Sequence, residues 1–130
     1  MKKFKYQDKL DANTCDLSSY SERSREAFRW TFENITDQRN FSPVNFSVIR
    51  NDCTGWGLSF FESEEKAKVR FNEIKSNTPN FGKKVGDYIS TGKLEVEDGI
   101  SNDANRVGHF THFEYDNIDL TTKFVVIAKI

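Results

Sequence analysis

Residues 108–116, GHFTHFEYD, place both histidines of the chain three positions apart, interleave them with aromatic side chains and end on carboxylates. Read as a helix, the segment puts His109 and His112 on one face, where they could share a metal ion. Read as a strand, it sends them to opposite faces. Gly108 ahead of them, β-branched Thr111 between them and the aromatics Phe110, Phe113 and Tyr115 favour the strand. At roughly 3.3 Å rise per residue the two backbones then lie about 10 Å apart, too far for the imidazoles to meet at one ion. His112, Glu114 and Asp116 remain on one face, with His109, Thr111, Phe113 and Tyr115 on the other. His112 with Glu114 could share a proton or hold part of a metal site, and Asp116 could add a ligand. A full site needs donors that the sequence does not place, so the expectation is a polar sheet face with no metal and no cofactor.

Working outward, the same preference recurs. Phenylalanine occurs 12 times in 130 residues, and with Ile and Val it outweighs the helix-favouring Leu, a bias toward pleated sheet. GWGLSFF (55–61) alternates as a strand, with Trp56, Leu58 and Phe60 on one face. It runs into a helix start at Ser63, whose side chain can cap the first turn while Glu64 and Glu65 complement the helix dipole. Ala67, Phe71 and Ile74 then fall on one face, until Asn77 and Pro79 stop the helix. VNFSVIR (44–50), KLEVE (93–97) and KFVVIAKI (123–130) read as further strands. The unbroken apolar centre of the last places it near the middle of a sheet, covered on both faces. Phe81, Val85, Tyr88 and Ile89 form a second helical stripe closed by Gly92.

SSYSERSREAF (18–28) opens with Ser19 and Glu22 in capping-box spacing and predicts a further helix. Phe28, Trp30 and Phe32 also alternate as a strand would, so the end of that helix stays open. The expected fold is a single α+β domain over residues 1–130. It has a mostly antiparallel sheet of about four to six strands, two or three helices on one face, and a loosely ordered arm over residues 1–16.

Composition narrows the function. Lys and Arg total 19 against 20 Asp and Glu, so no basic field exists for nucleic acid. No segment has the length or apolarity to span a membrane, and MKKFKYQDKLDANTC lacks the apolar run of a secretory signal; the expected location is the cytoplasm. Cys15 and Cys53 form no CxxC pair and are expected to be thiols in a reducing compartment. Cys53, followed by Gly55 and Gly57, could serve as a nucleophile if a histidine lay beside it. The acidic stretch 95–103 fails the calcium-loop spacing, since Ile100 and His109 fall where oxygen ligands are needed. Phosphate-loop, dinucleotide, zinc-protease and serine-hydrolase motifs are absent.

GLSFFESEEKA (57–67) resembles the strand, serine and helix segment of some small ADP-ribosyltransferase-fold proteins. The resemblance covers about a dozen residues. It implies Ser59 or Ser63 near a nicotinamide pocket and Glu114 as the catalytic carboxylate. The leading expectation is a non-enzymatic binding or regulatory module, bacterial in style, that works through a protein surface. Trp56, Trp30 and Tyr115 are its aromatic anchors, and a protein partner or a second copy is its ligand. The alternative is a small enzyme, either that transferase or a hydrolase built on His112 and Glu114, with His109 and Cys53 as further candidates.

Overall fold

A computed structural model describes residues 2–46 and 52–130. In chain order the regular elements are α1 (Gln7–Ala12), β1 (Arg25–Thr31), β2 (Leu58–Phe61), α2 (Glu64–Asn77), α3 (Phe81–Val85), β3 (Tyr88–Leu94), β4 (Gly99–Ser101), β5 (His109–Glu114) and β6 (Val125–Lys129). The strands form one antiparallel sheet in the order β4-β5-β2-β1-β3-β6. The α+β architecture expected from the sequence is therefore the observed one.

Alternation along each strand divides the core in two. Ala27, Leu58, Phe60, Leu94 and Phe110 point to one face, where Leu120, Phe124 and the loop residues Ile35, Phe41 and Ile118 cover them. Phe28, Trp30, Phe61 and Ile89 point to the other, beneath α2 with its buried Ala67 and Phe71. Helix α2 forms where the sequence places it. The Lys66 amide donates to Ser63 Oγ at 3.1 Å, and Glu64 and Glu65 occupy the first turn.

Several readings are corrected, among them the strand expected over residues 93–97, which ends at Leu94. The helix expected from Ser19 is not formed: Arg25–Thr31 is a strand, hydrogen-bonded to β3 from Arg25↔Leu94 to Thr31↔Tyr88. A capping box stabilises only a first turn, and the alternation of Phe28 and Trp30 against Ala27 and Thr31 prevails because both faces of β1 are packed. The helix over Phe81–Ile89 stops at Val85. Gly86 takes φ 84°, and a side chain there would place its Cβ 2.0 Å from the Thr31 carbonyl oxygen, so the chain turns and Tyr88 and Ile89 enter β3. Val44–Phe46 form a 3-10 turn rather than the start of a strand, and the remainder of VNFSVIR lies outside the described residues. Finally, β6 is the outermost strand, paired only with β3, and Val125 and Ile127 are 59% and 43% exposed. An apolar run reads alike at the centre and at the edge of a sheet. Lys129 at its end is a charge of the kind that edge strands carry.

The N-terminal segment is docked rather than loose. Phe4 bridges to Tyr115 and stacks on its ring at 5.3 Å, Leu10 is buried, and the Lys5 amide donates to the Glu114 carbonyl at 3.0 Å. Cys15 and Cys53 are joined in a disulfide, contrary to the expectation of free thiols. Their separation of 38 residues hides the pairing from any local pattern, and the docking of α1 is what brings the two together. The argument for a reducing compartment from free thiols falls with it. Among the described residues, no helix is long and apolar enough to cross a membrane.

Candidate functional site

The register Leu58↔His112, Ser59↔Thr111, Phe60↔Phe110 and Phe61↔His109 fixes the direction of every side chain on β5. His112 and Glu114 share a face with Leu58 and Phe60, and His109 and Thr111 share the opposite face with Ser59 and Phe61. The two imidazoles diverge, as an extended backbone requires.

On the first face the candidate acid–base pair is sealed. His112 is 2% exposed, and neither ring nitrogen makes a hydrogen bond of acceptable geometry. Burial holds its pKa down at about 4, against the pull of nearby Asp98, so the ring is neutral at physiological pH. Glu114 is 5% exposed; burial pushes its pKa up, opposed by the Lys5 ammonium 3.1 Å from Oε2. Asp98, fully buried, receives two bonds from Lys123 Nζ at 2.6 and 2.7 Å and one from the Glu95 amide at 2.8 Å. These groups tie the N-terminal arm and the 95–98 turn to β5. Asp116 lies past the end of the strand, exposed, its amide bonded to the Lys3 carbonyl. No group of three or more His, Cys, Asp or Glu among the described residues could hold a metal ion. Cys53, in its disulfide, has no thiol to serve as a nucleophile.

The other face opens into a cleft of about 680 Å³. Its origin is a fork in the sheet. β1 and β2 meet at Phe28↔Phe61 and then part, and the Arg29 guanidinium fills the fork, donating from Nη1 to the Ser59 carbonyl and from Nε to the Asn40 carbonyl, both at 2.6 Å. Burial lowers the Arg29 pKa to about 10, so it stays charged at neutral pH. Trp30 forms one wall, packed on Phe61, Phe71 and Phe81 at 4.9, 5.8 and 5.2 Å, with its indole N–H on the Ala67 carbonyl at 2.9 Å. Ser59, Thr111 and His109 line the strand side, and Ser42, Pro43, Val44, Thr54 and Gly57 supply the facing wall. Burial, reinforced by Arg29 and Arg70, keeps the His109 pKa below its ordinary value.

Charge in the cleft is one-sided. Arg29, Arg39 and Lys84 line it, and no Asp or Glu is among its described lining residues. Arg39 is largely neutralised by Asp37, which it grips through Nε and Nη2 at 3.0 and 2.7 Å. Among the described residues Arg29 hydrogen-bonds only carbonyl oxygens, and Lys84 stands exposed without an ion pair.

Of the residues singled out in the sequence, the cleft collects His109, Trp30 and Ser59, and leaves out His112, Glu114, Asp116, Cys53, Trp56 and Tyr115. Trp56 packs on Tyr6 and Phe46 at 5.9 and 5.2 Å, and Tyr115 is 8% exposed with its hydroxyl on Glu22. Ser63, the other serine implied by the transferase resemblance, is committed to capping α2. Sequence reading missed Arg29 and Lys84. The available signal for Arg29 was a charged residue on the same strand face as Ala27 and Thr31, a position an ordinary amphipathic strand fills with an apolar side chain. Compared with protein-family models, with curated proteins and with solved structures, the chain matches none, so the chemistry of the cleft rests on its own residues.

Proposed function

We propose that this chain is a non-enzymatic binding module whose working surface is the cleft at the β1/β2 fork, and that its ligand is a small anionic molecule carrying a planar ring. The observation that carries this reading is the combination in one concavity of an aromatic wall, Trp30 and Phe81, with two cations, Arg29 and Lys84, that form no ion pair among the described residues. Aromatic faces favour a ring, and buried or focused positive charge favours phosphate or carboxylate. The dimensions suit a nucleotide better than the protein surface first expected as a partner, since drug-sized ligands occupy clefts of this order. His112 and Glu114, the acid–base pair offered by the sequence, face the other side of the sheet, and His109 has no carboxylate beside it among the cleft's described lining residues, which supports binding over turnover. A cytoplasmic location remains part of the proposal, and there a cysteine pair is characteristically reversible.

One observation favours a second reading, that of a transferase. Ser59 lies on the cleft wall, where the resemblance to ADP-ribosyltransferase-fold proteins implies a serine. Glu114, the carboxylate that resemblance implies, does not share the cleft, so this reading would need another residue in its role.

Adenosine diphosphate is a suitable probe. Titrated at low salt, it should shift the indole N–H resonance of Trp30 and leave that of Trp56 in place. Lys84→Glu should weaken binding about tenfold at low salt, and the difference should shrink as ionic strength rises. No perturbation of Trp30 at millimolar nucleotide would refute the reading. Turnover of a nicotinamide dinucleotide would favour the transferase.

A further inference from the structure

Strand β5 carries His109 into the cleft beside Ser59 and Thr111, where the imidazole is half-buried and edge-on to Phe61 at 5.6 Å. Its backbone is pinned: Asn105 Oδ1 accepts from the His109 amide at 3.0 Å, and the Asn105 amide donates to the His109 carbonyl at 2.8 Å. The ring itself is uncommitted, with neither nitrogen in a hydrogen bond among the described residues. Burial disfavours its charged form, and the two charges that act on it, Arg29 on β1 and Arg70 on α2, are both positive and push the same way. The neighbouring carboxylates are already held, Glu62 after β2 by Lys66 of α2 and Glu73 by Arg70 at 3.7 Å. Lys84 on α3 lines the same cleft, and no Asp or Glu is among its described lining residues. A positive imidazole here thus has cations around it and no counter-ion.

We propose that His109 is a proton-coupled contact for the anionic part of the ligand, taking up a proton from solvent as the ligand enters and joining Arg29 and Lys84 as a cation of the cleft. The inference rests on the binding role proposed above. A phosphate or carboxylate brought against Arg29 supplies the missing counter-ion: it offsets the field of the guanidinium and offers an oxygen to the ring. The proton goes to the free ring nitrogen, which leaves the imidazolium with two donors and no acceptor, the pattern that suits an anion. The coupling is reciprocal, because the factor by which the ligand raises the proton affinity of His109 is the factor by which protonation raises the ligand's affinity. Binding therefore tightens as the pH falls through the titration of His109 and loosens as it rises.

The test follows the His109 and His112 ring resonances against pH, with and without saturating adenosine diphosphate, and uses the Trp30 indole as the reporter of binding. In the complex His109 should hold its proton at least about tenfold more tightly, while His112, sealed on the other face, should stay neutral in both states. A His109→Asn protein cannot charge at this position. Relative to the wild type, its nucleotide affinity should fall about tenfold further at about pH 5.5 than at about pH 8, a comparison in which the titration of the nucleotide's own phosphate cancels. An unchanged or weakened hold of His109 on its proton, in a protein whose Trp30 resonance responds to nucleotide, would overturn the coupling and leave the binding role intact. So would a His109→Asn protein, folded by its amide spectrum, that keeps the wild-type pH dependence. A Trp30 resonance that ignores millimolar nucleotide would remove the binding role and the coupling together.

Discussion

Phe60→Ala should be the most damaging single truncation in the molecule, lowering stability by about 3–5 kcal/mol. Phe60 is fully buried on the central strand pair, with its ring 5.7 Å from Phe110, 5.6 Å from Phe124 and edge-on to His112 at 6.0 Å. Its removal deletes the transfer free energy of an entire ring and leaves a cavity that three rigid aromatic neighbours cannot collapse to fill. A domain of this size has about 5–15 kcal/mol in total, so the variant should lose between a fifth and most of it, and should melt about 10–20 °C lower. Thermal unfolding followed by circular dichroism checks this, with Val69→Ala, at a 53% exposed position on α2, as a control that should change stability by under about 0.5 kcal/mol. A loss below about 1 kcal/mol for Phe60→Ala would show that the packing on this face is not as described.

His112 should make the protein acid-sensitive in a defined window. Its folded pKa is held at about 4 by burial, below the ordinary 6.5, so on acidification the unfolded chain takes up this proton before the folded one. Stability from this group is fully present above pH 6.5 and is lost as the pH falls through 4, by about 3 kcal/mol across the window. His109, also depressed, adds a smaller slope of the same sign. Glu114 acts in the opposite sense: its raised pKa means the folded state binds the proton first, and its contribution grows as the pH falls toward the usual carboxylate range. Between pH 4.5 and 6.5 the two histidines therefore make stability rise with pH and Glu114 opposes them. His112→Leu should flatten most of that rise and, by removing two unpartnered buried nitrogens, should hold or raise stability at pH 7. Urea unfolding at several pH values decides this. A His112→Leu protein with the wild-type acid slope would place the sensitivity elsewhere.

How far the sequence reveals this molecule depends on how local each signal is. Helix α2 is fully legible because its cap at Ser63, its dipole charges and its buried stripe lie within a single run of residues. Strand β5 is legible because helix and strand place His109 and His112 so differently that the aromatic and β-branched content can decide between them. Strand β1 is not, because the Ser19 and Glu22 spacing is a valid local signal that only the packing of both sheet faces overrules. The position of β6 is hidden for a related reason, since strand order is a property of the whole sheet. The cleft draws its walls from β1, β2, α3, β5 and the connection between β1 and β2, so no spacing in the chain announces it. Only Ser59 and Trp30, flagged for other reasons, and His109, singled out as one of two imidazoles, lead there from sequence.

One side of the fork between β1 and β2 carries β4, β5 and β2, zipped together through Phe60↔Phe110 and Ile100↔Phe113, and the other carries β1, β3 and β6, zipped from Arg25↔Leu94 onward. The Phe28↔Phe61 pair joins the two halves, Arg29 spans the gap beyond it to the Ser59 carbonyl, and Arg25 and Ser21 tie the other end of β1 to Ser101 and Asn102. Where the ladder is interrupted a side chain takes over the backbone's partners, so an apolar residue in place of Arg29 would strand the Ser59 and Asn40 carbonyls inside the gap.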